Sequence, residues 1–293
     1  MPVISLAIPL VFSLNAVAAA VAGPTVGRRL AASLISASGL AMCAIFPPDI
    51  IFVRACLWLG ALLLSMRMID VLDAASTPMP ARMFLALGVL DPRDMRDAPP
   101  RVRIALILRS GAFLGTGLSA LFAANGLPFG PLRWFLGAAT FYCGVEAIGG
   151  AATALYACVG LDAKHLQDRP YLSRTLAEFW GRRWNREVGR WLYRWCFRPL
   201  TRRGHPFLGV TAAFFWSGVI HAVPTLAVAG WRAALCMQAF FMVQGALVVM
   251  ERVLGVPRWP AWGGHAWVIG VFVVTAPMFV EPGLLLMRFG PAP

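Results

Sequence analysis

The sequence predicts an all-α, polytopic membrane protein of about eight spans, a single membrane domain over residues 1–293. Three observations carry this. Hydrophobic residues make up 59% of the chain and charged ones 13%, with mean hydropathy +0.71; a soluble domain is about 45–50% apolar and about 25% charged. Apolar runs near the roughly 20 residues that cross a bilayer recur along the whole length. Basic residues segregate to alternate connections.

The runs fall at 3–22, 30–46, 50–66, 104–124, 134–160, 207–229, 231–250 and 266–287. The first ends in Ala18-Ala19-Ala20 but carries no Lys or Arg in its first ten residues, so it reads as an uncleaved span, not a signal peptide. Pro47-Pro48-Asp49 parts the short second and third runs, and the apolar octet 83–90 is too short to cross. With both termini outside, the inner connections hold two, six, eleven and two Lys or Arg, 21 in all, against three outside: Arg133, Arg232 and Arg288. The large loop 161–206 therefore faces the cytoplasm. The net charge of +13 then reads as loops facing anionic membrane lipid, not as a nucleic-acid surface. No internal repeat of the transporter kind is visible. The six cysteines are scattered without a CxxC pair, so neither a disulfide framework nor a metal site is expected.

Loop 161–206 carries eleven basic and four acidic residues. Trp180, Trp184, Trp191 and Trp195 are spaced 4, 7 and 4, which places them within about 60° of arc on a helix. Arg182, Arg183, Arg186, Arg190 and Arg194 take the other side. The spacing predicts an amphipathic helix lying in the cytoplasmic interface. Guanidinium groups also bind phosphate through paired hydrogen bonds, so this face suits a phosphate-bearing acyl donor such as acyl-CoA.

One residue stands out inside a span. His221 is the fifteenth residue of the run from 207, about 21 Å along the helix. A polar side chain at that depth is costly and marks a functional candidate. A neutral imidazole in an apolar site can act as a base. Glu146 also lies mid-span, and either lines a substrate path or pairs with Arg109. His165 and His205 read as solvated loop residues and His265 as interfacial.

The string Phe179-Trp180-Gly181-Arg182-Arg183-Trp184-Asn185, preceded by Pro170-Tyr171-Leu172, resembles the signature of plant-type wax synthases, a branch of the membrane-bound O-acyltransferases. Phe215-Trp216-Ser217-Gly218-Val219-Ile220-His221 resembles that family's second motif, one intervening residue short. The likeness covers about 145–230, the expected catalytic region. It implies that His221 and Asn185 are the catalytic pair. The candidates for the substrate surface are Phe179, Trp180, Arg182, Arg183, Trp184, Arg186, Trp216, Ser217 and Glu146. Asn185 then serves as oxyanion donor, thioester positioner or loop orienter.

The expected reaction joins a fatty acyl group from acyl-CoA, a co-substrate and not a cofactor, to the hydroxyl of a lipophilic long-chain alcohol. Diacylglycerol, a sterol or a secondary-metabolite hydroxyl is the alternative acceptor, and a transporter the remote alternative. The protein is expected in a bacterial inner membrane or a eukaryotic endoplasmic reticulum. Neither HxxxxD nor HHxxxDG occurs, which sets aside the soluble acyltransferase types. The chain is short for the superfamily it resembles.

Overall fold

The structure, a computed structural model, describes residues 50–73, 90–91 and 95–289. The expected spans at 3–22 and 30–46, most of the octet 83–90, and Arg28, Arg29, Arg82 and Arg93 lie outside the described residues. The chain divides into two compact units.

In the first unit, α1 (Ile51–Asp73) is the main described element. The apolar run extends past residue 66, where a loop was expected. Arg67 lies buried on the helix within 3.4 Å of Asp70, so a paired charge continues the span. The same unit holds residues 286–289. The Phe52 N–H donates to the Arg288 carbonyl (3.1 Å), and the rings of Phe52 and Phe289 lie 5.0 Å apart.

The second unit, residues 95–222 and 231–285, holds the candidate site. Helices α2 (Ile104–Asn125) and α3 (Pro131–Cys158) form an antiparallel pair. Their approach depends on small residues: a Cβ on Gly150 would fall 2.2 Å from the Ser110 hydroxyl, and one on Gly117 would fall 3.1 Å from Cys143. Close backbone approach through such positions is how membrane helices gain packing contacts without a hydrophobic driving force. A two-residue ladder pairs Arg96 with Asp162 and Asp97 with Leu161, tying the lead into α2 to the exit from α3.

After the large loop come α7 (Pro206–Val253) and α8 (Ala261–Leu286). The 48-residue α7 is not one rod. Gly230 has φ 82° and ψ 176°, a conformation that L-residues avoid. The runs on either side, 206–229 and 231–253, match the two spans expected there. They fold back on each other: Gln238 donates to the Phe215 carbonyl (3.3 Å), and its side chain fills the space a Cβ on Gly218 would need. Five described helices are long and apolar enough to cross a membrane, α7 counted once. Arg133, expected in an outer loop, is buried at the start of α3. It binds Glu281 (2.9 Å) and the carbonyls of Ala124 and Leu127.

Loop 161–206 departs from expectation. The single amphipathic helix through the four tryptophans is in fact several short pieces. They are α4 (Leu176–Glu178), a π-turn over Phe179–Arg183, α5 (Arg186–Leu192), a second π-turn over Tyr193–Phe197, and α6 (Arg198–Arg202). The break is at Trp184, which is extended, and Asn185, which is left-handed at φ 35°. Backbone bonds across the loop hold it open: Asp168 N–H to the Arg183 carbonyl (2.9 Å) and Arg186 N–H to the Leu166 carbonyl (2.8 Å). Periodicity within the segment cannot register those distant partners.

Candidate active site

The signature segment is fastened at both ends. At its start Thr175 caps α4, its hydroxyl accepting the Glu178 N–H (2.9 Å). Glu178 in turn accepts from the Arg174 N–H and from Arg183 (2.7 Å). Burial alone would raise the Glu178 carboxyl; those two partners outweigh it and hold it below the usual range. Arg183 also donates to the carbonyls of Asp168 and Arg169. It is therefore committed to holding the loop, and its place on a shared phosphate face with Arg182 and Arg186 does not hold. Arg182 is exposed and Arg186 half-buried.

At the segment's end Asn185 caps α5. Its side-chain oxygen accepts from the Val188 N–H (3.4 Å) and its carbonyl from the Gly189 N–H (3.0 Å). Asn is among the few residues other than Gly that tolerate the left-handed region. The side chain's oxygen is thus taken up by the loop, and the NH2 is its donor side.

Trp180 does not face lipid. Its indole N–H donates to Gln244 (3.2 Å), and its ring packs among Phe179, Phe214, Phe240, Phe241 and Phe272. Trp184 stacks on Phe179, with centroids 5.5 Å apart and planes 14° from parallel. This aromatic cluster reaches the candidate base: the Phe241 ring lies 5.9 Å from Trp180 and 4.6 Å from His221. His221 Nδ1 lies 2.8 Å from the Ser217 carbonyl. A carbonyl only accepts, so Nδ1 carries a proton, and in the neutral form of the ring Nε2 is the basic nitrogen. The contact between Ser217 and His221 thus runs through the Ser217 backbone.

Phe179, Trp180, Trp184 and His221 are thus brought into one cluster, with Asn185 adjoining Trp184. Trp216 is 49% exposed and contacts Phe215, outside that cluster. Glu146 takes the structural alternative: Arg109 lies 2.7 Å from it and the Tyr142 hydroxyl 3.2 Å. It still adjoins the signature, since the Tyr142 ring lies 6.5 Å from Trp184. His165, read as solvated, is half-buried; burial and the Arg109 cation hold it below the usual imidazole value. His265, read as interfacial, has Nδ1 3.0 Å from the Ser173 carbonyl. Burial pushes the Cys196 thiol up to about 11, as suits a small hydrophobe.

The sequence reading missed Gln244 and Glu251. Both are polar, seven residues apart at the end of an apolar run, and both are buried. That spacing on one helical face was the available signal.

Residues 163–243 match the model of the Membrane bound O-acyl transferase family. The chain is 32% identical over 146 residues to the probable long-chain-alcohol O-fatty-acyltransferase 7 of Arabidopsis thaliana, covering 45% of this chain and 43% of that protein. It is 29% identical over 159 residues to the long-chain-alcohol O-fatty-acyltransferase of Simmondsia chinensis, covering 50% and 45%. It is 35% identical over 121 residues to the acetyltransferase ple2 of Rhodocybe pseudopiperita, covering 35% and 32%. The chain thus spans about half the length of the curated plant relatives it matches or less. The matched stretch contains both motifs, from Phe179 to Asn185 and on to His221, and over it the chain is similar to the Membrane bound O-acyl transferase family and to plant long-chain-alcohol O-fatty-acyltransferases.

Proposed function

We propose that the protein transfers a fatty acyl group from acyl-CoA to the hydroxyl of a lipophilic long-chain alcohol, forming a wax ester. The observation that carries this is the His221 ring, whose Nδ1–H is held by the Ser217 carbonyl beside the signature aromatics. A neutral imidazole so oriented presents Nε2 as a base. It takes the alcohol proton as the oxygen attacks the thioester carbonyl. The tetrahedral oxyanion needs a donor, for which the Asn185 NH2 is suited. Collapse breaks the carbon–sulfur bond, and the proton passes to the departing thiolate. Ester and free thiol leave, and no covalent acyl-enzyme is required.

The test is a lipid profile of a host that lacks neutral-lipid synthesis, expressing this chain and supplied with mixed acyl donors and alcohols. Wax ester is the expected product. Likeness to an acetyltransferase favours a second reading, a short acyl group delivered to a secondary-metabolite hydroxyl. Acetyl ester without wax ester in the same profile would select it.

The donor is expected to meet the exposed Arg182 and the half-buried Arg186 from the cytoplasm. Arg182→Gln with Arg186→Gln should raise KM for acyl-CoA more than for the alcohol, because phosphate contacts need guanidinium charge and an apolar alcohol does not. The difference should shrink at high salt. Equal losses for both substrates, dependent only on anionic lipid, would assign the pair to membrane contact. Arg183→Gln should instead loosen the loop and lower activity with either substrate.

The side of the membrane is read with a labelled cysteine. Lys164 is exposed within loop 161–206 and is the position to label. In a cysteine-depleted background, Lys164→Cys should react with an impermeant maleimide only from the cytoplasmic face. Labelling from outside reverses the orientation.

A further inference from the structure

Glu251, near the end of α7, is 1% exposed. A carboxylate taken from water must have its lone pairs filled by donors. Here three donors converge on it: the backbone N–H groups of Leu176 and Ala177 (the latter at 3.1 Å) and the Trp267 indole N–H from α8 (2.8 Å). The two backbone groups open the signature segment, where N–H groups have no partner within their own helix. Thr175 satisfies only the Glu178 N–H, and the remaining acceptor comes from another helix. Two turns earlier on the same face, Gln244 is fully buried. It accepts from the Trp180 indole and donates to Thr275 of α8 (3.0 Å). Leu176, Ala177 and Trp180 are thus pinned at two levels between α7 and α8.

The chain of contact continues to the base. Trp180 lies one turn beyond Leu176, its ring packs on Phe241, and Phe241 packs on His221. Resting on the acyltransfer reading above, we propose that Glu251 is a positioning residue. Its buried carboxylate fixes the start of the signature segment, and thereby sets Trp180, Trp184 and Asn185 in register with His221 for turnover. A carboxylate is required because both oxygens are in use. A carboxamide in its place offers one oxygen and turns an NH2 against an N–H donor, leaving a buried donor unpaired.

The test compares the full chain with its Glu251→Gln, Glu251→Asp and Trp267→Phe variants in nanodiscs, by hydrogen exchange and steady-state kinetics. Glu251→Gln should raise amide exchange over 173–185 at least roughly tenfold while α2 stays protected. Its kcat should fall about tenfold to a hundredfold, the scale of a misplaced reacting group. KM for each substrate should stay within about threefold. Glu251→Asp should recover part of the kcat. Trp267→Phe removes one donor and keeps the carboxylate, so it shows the same two changes at smaller size even where the Gln variant does not fold. Unchanged local exchange, exchange rising in every helix, or loosened exchange with wild-type kcat would each overturn the proposal. A wild-type chain that forms no ester from any pair offered would sink the acyltransfer reading instead; the exchange arm still decides whether Glu251 holds the segment.

Discussion

His221→Ala is expected to lower turnover at least roughly a hundredfold, the low end for removing a general base, while expression stays near wild type. The alternative is that His221 only fills space against Phe241 and bonds its own helix. His221→Asn separates the two. Its amide can still donate to the Ser217 carbonyl and occupies part of the ring's volume, but it has no basic nitrogen. Both variants should therefore be equally inactive, with the Asn variant as thermally stable as wild type. The measurement is ester formation per mole of purified, monodisperse protein. If the Asn variant keeps most of its turnover, another group takes the proton.

Asn185 carries the second large effect, and here conformation and chemistry must be parted. Its backbone is left-handed at φ 35°, and its side-chain oxygen caps α5. Asn185→Ala removes the cap, the amide donor and the tolerance of that conformation together, so its loss of activity is ambiguous. Asn185→Gly restores the backbone freedom and costs only a few tenths of a kcal/mol as a cap, yet still lacks the NH2. If the amide stabilises the oxyanion, the Gly variant should fold as wild type and lose about a hundredfold or more in kcat, the scale of one oxyanion donor. Recovery of activity in the Gly variant, but not in the Ala variant, would make Asn185 a conformational residue alone.

Much of the architecture was legible because lipid imposes a simple rule. Backbone groups in hydrocarbon must be satisfied within a segment, so a long apolar run becomes a helix whatever its neighbours do. The runs from 104, 134, 207, 231 and 266 all became helices near their expected bounds. Gly230, between two runs, is where α7 breaks. Arg67 and Arg133 read as loop residues in the sequence for a related reason. A charge looks like the end of a span until its partner is known, and Asp70 and Glu281 supply those partners.

The loop between the spans obeys no such rule. In water the backbone has competing partners, and Trp180, Trp184, Trp191 and Trp195 fit a straight helix as well as they fit the broken one. Carbonyls at Leu166 and Asp168 and the N–H of Asp168 engage residues 183 and 186, which turned the chain at Asn185 and sent Trp180 inward to Gln244. The residue types and spacing alone marked the helical membrane class, the two family motifs and a deep histidine. Only the tertiary structure decided which nitrogen of His221 meets the Ser217 carbonyl, that Arg183 is bonded within the loop, and that Glu251 accepts from the start of the signature segment. The last two depend on hydrogen bonds between groups far apart in the chain, and the first on a ring orientation that brings Nδ1 to a carbonyl four residues back; each is a property of the folded geometry, not of local composition.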